Sequence, residues 1–307
     1  MLGFRSPKHI SYRDLLAITN GFDCNPVGAN NGRLLGKGAF GSVHLGIQNN
    51  QFTAVKRLMK DIMGVDKLFQ NEVNSLLRVE HPNLLRMVAF SIDGPEPCLV
   101  YEYMSQGDLE ERLSCKGRWE MPLPHLSRIR IAYGASKGLR HLHAQCPPLV
   151  HRDVKSANIL LDKDLNPKLG DFGLVHLGAS KDNNASALSI TTVFGTSVYM
   201  APEAMRGKLS VRSDVFSLGV VLLELLTGLS PFNADGKETD LFTYVSEECE
   251  DSIKPLLDCK AGNWLSNRDR DMSESIYSLA QDCLEHLEIK RPYMSSVEEK
   301  LSAILEL

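Results

Sequence analysis

Two short polar stretches carry most of the chemistry this sequence can do. In His151-Arg-Asp-Val-Lys-Ser-Ala-Asn158 a carboxylate (Asp153), an ammonium (Lys155) and an amide (Asn158) follow in order, and Asp171-Phe-Gly173 supplies a second carboxylate thirteen residues later. Apolar Leu149-Val150 and Ile159-Leu160-Leu161 bracket the first stretch, so its side chains are aimed by anchored, strand-like pieces. A hydroxyl-proton acceptor, a cation for phosphate and two oxygen ligands for Mg²⁺ are the parts of a phosphoryl-transfer centre. Magnesium needs few protein ligands because phosphate oxygens and water complete its octahedron. Either stretch alone fits an Asx-rich surface turn or a chance tripeptide; together and in this order they do not.

Upstream, Gly36-Lys-Gly38-Ala-Phe-Gly41 is a weak signal by itself, and Asp61 lies about where a dinucleotide-binding fold keeps its ribose carboxylate. The flanks decide between the two. Val43, Leu45 and Ile47 alternate after the last glycine, which is the period of a strand, whereas the dinucleotide fingerprint requires a helix there. The segment therefore reads as strand, glycine loop, strand: a flap whose backbone N–H groups can close over phosphates. In Phe52-Thr-Ala-Val-Lys56 the pleat puts Phe52, Ala54 and Lys56 on one face, and Ala54 leaves room for a flat ring. Glu72 lies on the inward stripe of a helix expected over 68–77 and is the natural counter-ion for Lys56.

These groups need a framework to hold them. The chain has 307 residues, 43% hydrophobic and 23% charged, with a net charge of −4, which is globular composition with no basic surplus for nucleic acid or a membrane surface. Seven cysteines without CxxC spacing suit reduced thiols and argue against structural zinc. The longest apolar run, Val215 to Leu226, is broken by Ser217 and Glu224 and is too short to span a bilayer, so no membrane insertion is expected. Residues 11–20 read as a short amphipathic helix packed against the domain C-terminal to it. Strands are expected at 84–90 and 98–103, then helices over 109–113, 126–143, 215–226, 241–253 and 272–284. A β-rich front and an α-rich back imply an α+β fold of two lobes: 28–103 and 104–307, preceded by an extension over 1–27.

The ordered set of the glycine loop, Ala-Val-Lys56, Glu72, His151-Arg-Asp153 through Asn158, Asp171-Phe-Gly, Ala201-Pro-Glu203, Asp214 and Arg291 resembles the eukaryotic protein kinase family over about residues 28–307. The resemblance implies ATP and Mg²⁺ as cofactors. Gly36, Gly38, Gly41, Val43, Ala54, Tyr101 and Leu160 would surround the nucleotide, with Tyr103 and Met104 offering backbone groups to adenine and Asp108 a carboxylate to ribose. Lys56 would hold the α- and β-phosphates, braced by Glu72, and Asn158 and Asp171 would bind the metal. Asp153 would accept the substrate proton beside Lys155, and Thr196 belongs to the same catalytic group. Lys155 and Gly195-Thr196 are similar to serine/threonine rather than tyrosine kinases. Asp214 would hold the catalytic loop, and Glu203 and Arg291 would pair. Phosphorylation at Ser189, Thr191 or Thr192 would order the polar segment before Glu203 against Arg152, with His176 in place of the usual second basic residue.

Within that family, Tyr101 just before the connector and the 155–162, 195–204 and 219–228 segments resemble the interleukin-1-receptor-associated kinase and Pelle group, arthropod Pelle above all, while residues 11–22 also resemble the segment preceding plant receptor-like kinase domains. The first resemblance implies a cytoplasmic kinase of Toll-type signalling that phosphorylates protein Ser/Thr and itself, recruited to death-domain adaptors through a region outside these residues. A plant-type receptor-like kinase is the alternative, and a pseudokinase scaffold is the reading from another class.

Overall fold

The computed structural model describes residues 7–306 apart from 30, 62–63, 116–118, 120, 178–196, 233–235, 250–251, 263 and 265. It falls into two compact units: one comprises 1–80, 84–105 and 171–174, the other 81–83, 106–170 and 175–307. The first is built on a sheet and the second on helices, which is the two-lobed kinase fold.

In the first unit, β2 (Leu34–Gly38), β3 (Gly41–Gln48), where Val43, Leu45 and Ile47 alternate, and β4 (Gln51–Leu58) form an antiparallel run. β6 (Cys98–Glu102) and β5 (Met87–Ser91) continue it, and β1 (Lys8–His9) lies parallel to β5 at the edge. Residues opposite one another share a face. Val43 faces Lys56, Lys56 faces Leu99 and Ala54 faces Tyr101, so these five side chains line one face of the sheet. Val55 and Val100 occupy the other.

That second face is covered from the N-terminus. Helix α1 (Tyr12–Ile18) starts at Ser11, whose side chain accepts from the Asp14 N–H. It sets Leu15, with Phe22 just beyond, against Val55, Ala89, Cys98 and Val100 in a single apolar cluster. The Tyr12 N–H donates to Asp93 at 3.0 Å, and its ring occupies the space a Cβ on Gly94 would need, 2.1 Å away. Residues 7–27 thus belong physically to the sheet unit. Helix α2 (Val65–Leu76) begins three residues earlier than its apolar spacing suggests, after Gly64 in the left-handed region.

The second unit contains α3 (Leu109–Ser114), α4 (His125–His143), α5 (Val211–Thr227), α6 (Leu241–Glu248), α7 (Asn267–Cys283) and α8 (Met294–Glu306). α5 is buried nearly all round, and α4 and α7 pack on it. α6 is shorter than the expected 241–253: Cys249 turns extended and its N–H closes on the Val245 carbonyl. α8 was not anticipated; Met294, Val297, Leu301 and Ile304 are its buried stripe at helical spacing. Among the described residues, no helix is long and apolar enough to cross a membrane, and all seven cysteines are free thiols.

Candidate active site

On the Lys56 face of the sheet unit, strand β4 and helix α2 bring a cation to two carboxylates. The Lys56 Nζ donates to Glu72 Oε2 at 2.9 Å and to Asp171 Oδ1 at 3.0 Å. Glu72 is buried, and its Oε1 also accepts the hydroxyl of Tyr101. Burial pulls the ammonium of Lys56 down, but Asp171 and Glu72 more than offset it and leave its pKa above the ordinary lysine value. Burial raises Glu72, with Lys56 opposing, and burial beside Glu72 drives the Tyr101 phenol well up. A cation fixed between two carboxylates and kept charged is suited to holding phosphate oxygens.

The glycine loop is the β2–β3 hairpin, with Gly38 opposite Gly41. Cβ atoms at Gly36 and Gly38 would meet nothing within 4 Å, so the backbone there can be approached closely. Gly41 is different. A Cβ would lie 2.0 Å from the Arg57 carbonyl oxygen, so strand packing already requires glycine at that position. Val43 and Ala54 are half-buried on the Lys56 face, and Tyr103 and Met104 follow β6 outside any strand, with the Tyr103 ring 6.0 Å from that of Phe52.

In the helical unit, β7 (Leu149–Val150) and the hairpin of β8 (Ile159–Leu161) with β9 (Pro167–Leu169) bracket the catalytic loop. Asp153 Oδ2 accepts from Lys155 Nζ and from Asn158 Nδ2, both at 2.8 Å. Asp153 Oδ1 is buried and has no hydrogen-bond partner, which is unusual for a carboxylate oxygen and leaves it able to accept one. The Asn158 amide nitrogen is committed to Asp153, through Oδ2 and the backbone carbonyl at 2.8 Å, and the amide oxygen takes no part in these two bonds. An amide oxygen is a donor of the kind a hard oxygen-seeking cation such as Mg²⁺ accepts.

Asp214 fixes the loop from below. Its carboxylate accepts the backbone N–H groups of His151 at 2.8 Å and Arg152 at 2.9 Å, and His143 Nε2 at 2.8 Å. The cap of α5 is Ser210 in a capping box with Ser213, so Asp214 is free of that duty and ties the loop to His143 at the end of α4. Arg152 is held at φ 73°, a conformation that side chains other than glycine rarely adopt and that these bonds impose. The His151 Nε2–H reaches the Gly170 carbonyl at 3.1 Å while Nδ1 accepts the Asp153 N–H. Glu203 and Arg291 form a bidentate pair at 2.6 and 2.9 Å, the guanidinium lying over the Phe216 ring. Asp108 bridges Leu160 and caps α3, its side chain accepting from the Glu111 N–H at 2.8 Å, and burial pushes its pKa up to about 6. Ser189, Thr191, Thr192 and Thr196 lie outside the described residues, and His176 pairs by its backbone with Val150.

One group was missed. Ser156 Oγ donates to Glu224 Oε1 at 2.7 Å, the Tyr199 hydroxyl meets Oε2 at 2.9 Å, and the two hydroxyls are 3.0 Å apart. The signal was in the sequence: a glutamate inside an otherwise apolar helix needs buried partners.

A family model for the protein kinase domain matches residues 29–301. The chain is 36% identical over 323 residues to the proline-rich receptor-like protein kinase PERK1 of Arabidopsis thaliana, all of this chain and 46% of that protein. It is 36% identical over 311 residues to the receptor-like kinase LIP2 (97% and 53%), and 40% identical over 253 residues to the probable serine/threonine-protein kinase PBL21 (80% and 64%), both from the same plant. The chain spans about half the length of the first two relatives. The glycine hairpin, the braced lysine, the loop carboxylate and this likeness agree: the chain belongs to the protein kinase family and is an ATP-dependent protein serine/threonine kinase domain.

Proposed function

We propose that this domain moves the γ-phosphate of ATP to serine and threonine hydroxyls of protein substrates and of its own segment 178–192, as the catalytic part of a plant-type receptor-like kinase. The observation that carries the chemistry is Asp153, whose Oδ1 is buried and unpaired while Oδ2 is braced by Lys155 and Asn158. Lys56 holds phosphate oxygens, Glu72 orients Lys56, and Asp153 orients the hydroxyl and takes its proton. Asn158 and Asp171 would hold Mg²⁺, which when bound neutralises phosphate charge. Little covalent help is needed for so dissociative a transfer, so positioning and charge supply the rate. Tyr103 and Met104 would meet adenine, and Asp108 ribose.

The receptor-like reading is supported by the relatives named above, whereas nothing in them favours the Pelle-type reading, Toll signalling or death-domain adaptors. Such a domain would work on the cytoplasmic side. Phosphate on Ser189, Thr191 or Thr192 would pair with Arg152.

Labelled ATP with magnesium, followed by mapping of the phosphate, tests this. Incorporation on Ser or Thr concentrated between 180 and 192 that vanishes in Asp153→Asn is the expected result. ATP binding without phosphate transfer to the chain or to a generic peptide would instead favour a scaffold. Unaltered turnover after alanine replaces Ser189, Thr191 and Thr192 together would end the switch proposal.

A further inference from the structure

Glu224 is not placed as an ordinary carboxylate. It lies on α5 at 2% exposure, and among the described residues no cation pairs with it. Its partners are the hydroxyls of Ser156, from the catalytic loop, and of Tyr199, from the turn Ser197–Tyr199; among the described residues the further charged group acting on it is Glu110 of α3, an anion.

The three contacts form a closed triangle, and proton counting decides its state. If Glu224 is ionised, the triangle has two donor protons, one on each hydroxyl, for three edges, and the 3.0 Å edge between Ser156 and Tyr199 is left as two lone pairs facing one another when both hydroxyls point at the carboxylate. If Glu224 is neutral there are three protons for three edges. The acid donates from Oε2 to Tyr199, Tyr199 donates to Ser156, and Ser156 donates to Oε1. Each group then donates once and accepts once, as a buried polar network requires. Burial, with Glu110 adding repulsion, pushes the Glu224 pKa up to about 8, in the same direction, against the two hydroxyl bonds.

We propose that Glu224 is a positioning residue held as a neutral carboxylic acid at neutral pH, closing a cyclic triad that fixes the catalytic loop to the Ser197–Tyr199 turn. Ser156 follows Lys155 directly and precedes Asn158 by two residues, so the ring fixes the backbone between the catalytic ammonium and the amide that would face the metal. Loss of the proton opens the Ser156–Tyr199 edge. The link to turnover rests on the kinase reading above; the protonation state does not.

Glu224→Gln reproduces the neutral form, since the amide N–H donates to Tyr199 and the amide oxygen accepts from Ser156. Its second N–H can impose a constant offset, so the pH dependence is the readout. A folded-state pKa raised to about 8 from 4.5 means stability fully present below 4.5 and lost as pH rises through 8. The ratio of the unfolding constants of wild type and E224Q should therefore climb about tenfold per pH unit between roughly 5 and 8, because all other groups cancel. In turnover, kcat of wild type should fall relative to E224Q above about pH 8. A ratio of unfolding constants that stays flat across the window overturns the proposal. So does a carbon NMR titration of wild type labelled at glutamate side-chain carboxyls in which no resonance titrates above pH 6. Should the unfolding ratio climb while neither protein transfers phosphate, the kinase reading fails and the neutral acid stands; should the kcat ratio stay flat in active enzymes, the positioning role is overturned.

Discussion

Tyr101 donates its hydroxyl to Oε1 of Glu72, and the other oxygen of that carboxylate takes the Lys56 Nζ at 2.9 Å. The glutamate is therefore oriented from two sides, and its rotamer does not depend on the lysine alone. Tyr101→Phe keeps the buried ring and deletes one donor to a charged acceptor. Stability should drop by about 1.5–3 kcal/mol in urea unfolding. Catalytic efficiency should fall, and unchanged kcat/KM would show that Lys56 suffices to place Glu72.

Removing the cation strands two carboxylates. Lys56→Met should abolish turnover and lower the unfolding free energy by roughly 3 kcal/mol, the low end for a broken buried pair because Asp171 is partly exposed. Adding Glu72→Gln to that variant removes the stranded buried charge. Thermal unfolding should recover in the double variant while activity does not, and a further drop in stability would contradict the account.

Asp214 gives an acid dependence. Burial raises its carboxyl, but the His143, His151 and Arg152 contacts more than offset this and hold it below the usual value. A depressed folded pKa contributes stability that is present above the unfolded value near 3.8 and lost as pH falls through the folded one. Asp214→Asn should flatten that acid limb. At pH 7 it should also cost about 1–3 kcal/mol, since a neutral amide cannot reproduce the three bonds and Arg152 is left at its unfavourable φ. Urea titrations from pH 7 to 3 measure both effects.

Leu15 is fully buried at the centre of the cluster behind the sheet. Leu15→Ala should cost about 2–5 kcal/mol. Amide exchange should quicken first in β5 and β6, the strands beneath it; uniform quickening across the helical unit instead would mean that the two units do not unfold separately.

The local chemistry was readable because each motif imposes its own periodicity. Alternation at Val43, Leu45 and Ile47 identified the hairpin, and the stripe bearing Glu72 identified the partner of Lys56. The Tyr101 hydroxyl reaches Glu72, a contact that says nothing of the subfamily. What stayed hidden depends on distant chain. Ser156, Tyr199 and Glu224 are joined only by folding, and each has a dull local reading: a loop serine, a motif tyrosine, an interruption in an apolar run. The two-residue β1 is too short to show a period. Asp108 also caps α3 through one carboxylate oxygen, a second duty that only the structure shows.

The cover on the back of the sheet separates two boundaries that are often assumed to coincide. The protein kinase family model begins at residue 29, yet the sheet is not sealed without Leu15 and Phe22. A protein trimmed to the recognisable domain would keep every catalytic group and present Val55, Ala89 and Val100 to water, an invitation to self-association. The piece that the family model matches and the piece whose sheet is sealed differ here by a helix.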